Sequence, residues 1–383
     1  MKYKSKKRIV ISAAYGMGNL GDEAICDTII KDILSINKNV VLTVIVIDIS
    51  KFFKSHPNLF SIKNIKILEI VKNNRDYLSF EKIWGTMSVI IDIFYCDLFV
   101  WGGGGIIRNR PDWLSLYIIP LRIAKFFKKR IFVWSIGVNK ISNKKVINLV
   151  NHIKDVDFIS VRDKESKKSL EEILFNLRNN IYVINDPVFH FDSIDRKKNN
   201  HNELIIGLNL AFWKADLSDQ KSVNDFINSL AYSLNKLSEI KQYTLYYLPT
   251  AQKKDDVLFE YLYQKLSKNI NIEKHIVDTP QEFLDLSSKL DLFVCSRLHA
   301  IILASNVKDL PIIPIIYDEK VLNLSMFFKE DCFFSINDII QKPEIFLNTI
   351  LDAMDGSKKN VLDFSEFRSC SISIKEYLTP YII

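Results

Sequence analysis

The sequence predicts an α/β protein of two doubly wound, Rossmann-like domains facing a cleft. Three observations predict it. Short β-branched runs alternate with amphipathic stretches of helical length, the pattern of strands buried in a parallel sheet. The alternation stops once, at a polar segment, and then restarts. Seven of the 11 glycines fall in two clusters, each directly after one of the apolar runs.

The elements follow in order. Arg8–Ala14, Val40–Ile47 and Ile65–Leu68 read as the first strands, then Asp97–Trp101, Arg130–Ile136, Phe158–Val161 and Tyr182–Ile184. Glu23–Ser35, Trp113–Phe127 and Asp163–Phe175 read as helices between them. The segment HFDSIDRKKNNHN, His190–Asn202, is polar and charged, so the expected organisation is residues 1–190, a linker at 191–202, and 203–383. After it, strands are expected at Leu204–Leu210, Tyr243–Leu248, Ile272–Val277, Asp291–Cys295 and Ile312–Ile316. Helices are expected at Val223–Leu237, Asp255–Leu266, Pro280–Ser288 and Leu298–Ser305, and a last one over Phe364–Tyr377 crosses back onto the first domain. Ligands of such folds bind at the carboxyl ends of the strands.

Composition narrows the function. The chain has 383 residues, enough for a full core in each half, and 48% hydrophobic with 25% charged residues is ordinary globular usage. Five scattered cysteines without a C-x-x-C argue against a disulfide framework or structural zinc, and favour a reducing compartment. The net charge of +7 is not gathered into a basic stripe, so no nucleic-acid partner is expected; a small anionic substrate or an anionic membrane surface suits it better. Ser88–Ile107 and Leu114–Val138 are apolar, but Asp92 and Asp97 interrupt the first, and Arg122, Lys125 and Lys128–Arg130 the second. Neither gives the roughly 20 uncharged residues of a bilayer span. The basic start before Arg8–Ala14 imitates a signal peptide, yet the run is short and passes into the first glycine loop without a cleavage site.

The candidate chemistry lies in four places. The loop YGMGNLGDEAI imitates a dinucleotide fingerprint but ends in Asp22 and Glu23, which favour a helix start and repel a pyrophosphate. Asn19, Asp22 and Glu23 suit sugar hydroxyls better, with helix capping by Asp22 as the plain alternative. Gly102–Gly105, including Gly103 and Gly104, offer either a nest of backbone N–H groups or a crowded strand-to-helix turn. Arg162 ends a strand in FISVRDKES, where it serves as an anion clamp or as a salt-bridge partner of Asp163. In DLFVCSRLHAIILA, Arg297 and His299 set a proton donor beside an anion site. Asp155 and Asp157 form a D-x-D at a helix-to-strand passage, read as surface residues. No histidine has partners at metal-ligand spacing, so neither metal nor cofactor is expected. The run KFFKKR, Lys125–Arg130, is either a solvated helix end or a contact with an anionic membrane.

The segments GMGNLGDEAI, VWGGGGI, WSIGV, SVRDKES, NDPVF, IGLNL, SRLHAIILAS and YDEKV together resemble the polysaccharide pyruvyl transferase family, in its order, over about residues 10 to 322. The resemblance implies a GT-B-like fold, with phosphoenolpyruvate as donor co-substrate and a nucleotide- or lipid-linked sugar as acceptor. The product would be a pyruvate ketal on two sugar hydroxyls. The family's donor site maps onto Arg162, Arg297, Leu298 and His299, and Lys320 lies in a further family segment, Y-D-P-K, where Glu319 replaces the proline. His299 is then the general acid or base, Arg297 and Arg162 hold the anion, and the Leu298 backbone helps bind phosphate. The acceptor lies by Asn19, Asp22, Glu23, Gly103 and Gly104, with Asp22 or Asp186 as its base. The expected place of work is the cytoplasm, reaching the inner face of the membrane if KFFKKR makes that contact. Two rivals stand beside this reading: a glycosyltransferase of the same architecture using a nucleotide sugar, and a non-catalytic carbohydrate-binding relative.

Overall fold

The β-branched runs of the first half pair in parallel. A computed structural model describes residues 6–70, 80–174, 177, 179–197, 204–211, 220–325, 333–355 and 365–383. In it β1 (Arg8–Ser12), β2 (Val41–Val46), β3 (Ile65–Glu69), β4 (Leu98–Ile107), β5 (Arg130–Val138), β6 (Phe158–Val161) and β7 (Ile181–Val183) form a seven-stranded sheet ordered β3-β2-β1-β4-β5-β6-β7. Its helices are α1 (Leu20–Ile36), α2 (Ile49–Ser55), α3 (Phe80–Tyr95), α4 (Pro111–Phe126), α5 (Lys144–Val150) and α6 (Lys164–Ile173). Strands β1, β4 and β5 are almost wholly buried, as an apolar run sandwiched between helix layers must be.

The second half repeats the winding. The strands β8 (Leu204–Asn209), β9 (Tyr243–Tyr247), β10 (Asn271–Lys274), β11 (Leu292–Cys295), β12 (Ile312–Ile316) and β13 (Phe334–Ser335) form a six-stranded parallel sheet ordered β10-β9-β8-β11-β12-β13. Its helices are α7 (Gln220–Ile240), α8 (Gln252–Tyr263), α9 (Pro280–Ser287), α10 (Leu298–Ala304), α11 (Glu319–Ser325), α12 (Ile336–Gln341) and α13 (Pro343–Met354). A core of aliphatic and aromatic side chains, Leu230, Leu234, Tyr247 and Phe259 among them, joins α7 and α8 to this sheet. Strand order reverses between β1 and β4 in one sheet and between β8 and β11 in the other, so each sheet has one switch point.

The chain divides into Met1–His190 with Ser365–Ile383, and Phe191–Phe364. The last helix, α14 (Ser365–Ile382), therefore groups with the first unit, whereas the 203–383 boundary put it in the second. Its contacts give the reason. Lys375 pairs with Asp32 of α1 at 3.0 Å, Asn37 donates to the Ile382 carbonyl at 2.9 Å, and Tyr377 packs on Phe158 and Tyr182. The polar segment read as a linker is docked over its described part. Ile194 N–H donates to the Asn306 carbonyl and the Ile194 carbonyl accepts from Lys308 N–H, both at 2.9 Å, and Arg196 pairs with Asp291 at 2.7 Å. Residues 198–203 lie outside the described residues.

Candidate functional site

In the first unit the loop between β1 and α1 is held from below by a buried carboxylate. Glu23 Oε1 accepts from Gly16 N–H at 2.9 Å and Met17 N–H at 3.2 Å, and Oε2 meets His56 Nε2 at 3.0 Å. His56 Nδ1 reaches Asp27 at 2.8 Å, so one imidazole bridges two acids of α1. Burial works against a charged His56, but its bonds to Asp27 and Glu23 prevail and raise its pKa to about 9. It is an imidazolium at neutral pH, donating from both nitrogens. Burial raises the Glu23 carboxyl above its ordinary range although His56 pulls the other way. Glu23, expected at the acceptor, thus has both oxygens committed to the loop and to His56.

Its neighbours are placed differently. Asn19 Nδ2 donates to Asp22 Oδ2 at 2.6 Å, and a Cβ built on Gly104 would lie 2.8 Å from Asp22 Oδ1. Asn19, Asp22 and Gly104 therefore meet at the sheet's switch point. Asn19 occupies the N-cap of α1 without a side-chain capping bond, and Asp22 is 8% exposed.

The glycine cluster is part of a strand. β4 does not end at Trp101 but runs on to Ile107, with Gly102 opposite Trp134 and Gly104 opposite Ile136. Gly103 shows why glycine is needed: its φ is +93°, and a Cβ there would lie 2.3 Å from Ile25 Cγ2 of α1. The cluster serves close approach of helix to strand, but from inside β4 and not at the strand-to-helix turn expected there. Tyr15 O–H donates to the Gly102 carbonyl at 2.8 Å and ties the loop to the same strand.

Arg162 leaves β6 and is 7% exposed. Its Nη1 lies 3.3 Å from Asp186 Oδ2 and its Nε 3.4 Å from Asp163 Oδ2. The guanidinium covers Gly137, where a Cβ would sit 2.8 Å from Nε. Three motifs, WSIGV, SVRD and NDPVF, thereby interlock. Asp186 also accepts Val188 N–H at 3.2 Å. The D-x-D is split as surface residues would be: Asp155 faces Lys125 at 3.8 Å, and Asp157 accepts Ile131 N–H at 2.8 Å.

In the second unit Arg297, Leu298 and His299 follow β11 at that sheet's switch point. Asn209, at the end of β8, aligns the turn: its Oδ1 accepts Arg297 N–H at 3.2 Å, and its Nδ2 donates to the Leu248 carbonyl at 2.7 Å. The Arg297 side chain, 21% exposed, donates from Nε (2.8 Å) and Nη2 (2.5 Å) to Asp255 Oδ1. Asp255 is fully buried, and its other oxygen accepts Thr250 and Ala251 N–H at 3.1 and 2.9 Å. Burial opposes the Arg297 charge, yet Asp255 outweighs it and raises the guanidinium further. Burial raises Asp255 in turn, against the pull of Arg297. His299 is half-buried on the first turn of α10, and Lys320 lies in α11 with its N–H donated to Asp318 at 2.8 Å.

Sequence reasoning missed Asp255, which read only as the start of a helix 42 positions before Arg297. It also set His56 aside for lack of metal-ligand partners, although the acids that matter, Glu23 and Asp27, stand one helical turn apart on α1.

A family model described as polysaccharide pyruvyl transferase matches residues 19–308. No curated protein matches the chain significantly. The UDP-GlcNAc 2-epimerase of Methanocaldococcus jannaschii is similar in structure, with a TM-score of 0.58 at 15% identity, covering 97% of this chain and 99% of that one. The Neisseria meningitidis UDP-GlcNAc 2-epimerase bound to UDP-GlcNAc has a TM-score of 0.56 at 12% identity, covering 97% and 99%. At such identities the likeness shows the fold, which is of the GT-B type.

Proposed function

Because the chain belongs to the polysaccharide pyruvyl transferase family, we propose that it moves the enolpyruvyl group of phosphoenolpyruvate onto two hydroxyls of one sugar, forming a pyruvate ketal. The reaction serves polysaccharide biosynthesis in the cytoplasm. The observation that carries this reading is the family match across residues 19–308, which includes every candidate residue except Lys320.

The donor's chemistry assigns the roles. Phosphoenolpyruvate becomes electrophilic at C2 when C3 takes a proton, and His299 supplies it. Arg297, with its Nε and Nη2 edge fixed by Asp255, turns its remaining face to the donor's phosphate or carboxylate. Lys320, in the same unit as Arg297, adds positive charge to the donor's surroundings. Two C2–O bonds form to the sugar and the C2–O bond to phosphate breaks. Of the two hydroxyl protons, one replaces the proton given to C3 and the other leaves with phosphate, so no water is consumed. Asp22 has the better claim to deprotonate the acceptor, since both Asp186 oxygens are engaged by Arg162 and Val188. Asn19 and Asp22 would hold the sugar through its hydroxyls.

The test is to incubate the protein with phosphoenolpyruvate and a panel of nucleotide- and lipid-linked sugars and to follow phosphate. Acceptor-dependent phosphate release supports the reading. Sugar transfer from a nucleotide sugar, with no response to phosphoenolpyruvate, would replace it with the glycosyltransferase reading.

A further inference from the structure

Helix α4 brings two aromatic side chains with unmet hydrogen-bonding groups to the switch point of the first sheet. Tyr117 is 2% exposed and Trp113 is half-buried. Among the described residues, the Tyr117 O–H and the Trp113 Nε1–H are shielded from water and make no hydrogen bond. Their rings meet at 4.9 Å, and the Arg108 guanidinium stands 5.8 Å from the Trp113 ring. Burial and then the charge of Asp22 push the Tyr117 phenol up, while Arg108 pulls it down. Both charges therefore act on this hydroxyl, which keeps its proton at neutral pH. Asp22 comes from α1, after β1, and Tyr117 from α4, after β4, the two strands between which strand order reverses. The Tyr117 carbonyl accepts from Trp101 Nε1 at 2.9 Å, so buried β4 fixes the turn of helix that carries the phenol.

A buried polar group without a partner is costly, and here two lie against each other at one sheet edge. Their chemistry defines what completes them. The indole N–H only donates, and the phenol both donates and accepts. Asp22 gives Oδ2 to Asn19 at 2.6 Å, which leaves Oδ1 to accept. A ligand facing all three must accept from one, donate to another and do both with the third, which is the capacity of neighbouring hydroxyls. A phosphate dianion only accepts and would be repelled by Asp22. It fits instead at Arg108, whose Nε donates to the Gly105 carbonyl at 2.7 Å, leaving the two Nη groups for an anion. The partly exposed indole adds an apolar face of the kind that lines small-ligand sites.

We propose that Asp22, Tyr117 and Trp113 bind the hydroxyls of a sugar, and Arg108 a phosphate carried by that sugar, in a glycosyl phosphate subsite built within the first unit. The proposal deepens the acceptor reading given above and rests on it. Calorimetric titration of the full chain without phosphoenolpyruvate, using glucose, galactose and mannose and the 1-phosphate of each, reads the subsite alone. At least one 1-phosphate should bind, and more tightly than its free sugar. Tyr117→Phe and Trp113→Phe each remove one polar group and keep an aromatic ring, so each should weaken that binding roughly tenfold. Neither should lower the melting temperature, because no hydrogen bond within the chain is lost. Arg108→Gln should remove the preference for the phosphate. No binding by any of these probes, or an affinity that both aromatic variants leave unchanged, would overturn the proposal. So would a melting temperature lowered by either variant, which would assign its polar group to the core. The reaction is judged separately. Binding that Tyr117→Phe weakens, with no phosphate released from phosphoenolpyruvate, keeps the subsite and refutes pyruvyl transfer. Phosphate release with an acceptor KM that neither aromatic variant moves does the reverse.

Discussion

Removing the charge of His56 should unfasten the loop that carries Asn19, and the effect has a computable pH profile. The imidazole ordinarily titrates at 6.5 and in the fold at about 9, because its bonds to Asp27 and Glu23 outweigh burial. At about 1.4 kcal/mol for each pH unit between those values, the charged form stabilises the first unit by up to about 3 kcal/mol. A base whose folded pKa is raised contributes fully below its unfolded value and loses that contribution as pH rises through the folded one. The window is therefore pH 6.5 to about 9. His56→Gln keeps polarity and approximate volume but carries no charge at any pH. At pH 6 it should melt roughly 6–12 °C below wild type, since about 1 kcal/mol moves the transition of a unit this size by roughly 2–4 °C. By pH 10 the two curves should converge. Thermal unfolding followed by circular dichroism from pH 6 to 10 makes the comparison. A gap that stays constant across that range, or no gap at pH 6, would refute the ion-pair account of the loop.

Other outcomes follow from the same geometry. His299→Ala should lower turnover by about two to four orders of magnitude while calorimetry still finds phosphoenolpyruvate bound. Arg297→Lys keeps a charge but loses the fork that Asp255 holds, so phosphoenolpyruvate binding should weaken by roughly 1–3 kcal/mol in a titration. Asp255→Asn leaves the guanidinium without its buried partner and should destabilise the second unit by about 3–5 kcal/mol, read by denaturant unfolding. Gly103→Ala sets a methyl 2.3 Å from Ile25 at φ +93°, and should cost about 2–4 kcal/mol of stability, visible as a lowered melting temperature.

Much of the fold was legible because a strand buried on both faces must be a short apolar run, and its helix must be amphipathic. β1, β2, β6 and β12 fall where those runs lie. β4 was cut short at Trp101 because glycine has low strand propensity and signals a turn. Here it answers a need local sequence does not display, the approach of Ile25 from α1. α3 was hidden for the opposite reason: Ser88–Ile107 is so evenly apolar that helix and following strand merge into one run. Polarity at 191–202 looked like a linker, yet Arg196 meets Asp291 far along the chain. The same distance problem concealed Asp255. Arg297 and His299 could be picked out by a strand-to-helix turn, but the acid that fixes Arg297 arrives from α8, with no spacing rule to join them.

The central claim is that a sugar diol and phosphoenolpyruvate combine with loss of phosphate at a site that needs Arg297 and His299. The most direct measurement is mass spectrometry of the acceptor after incubation with phosphoenolpyruvate, with released phosphate measured in the same sample. The account predicts an acceptor heavier by one pyruvic acid less one water, one phosphate per product, and neither with His299→Ala. An unmodified acceptor across the panel, or product formed equally well by His299→Ala, would contradict it.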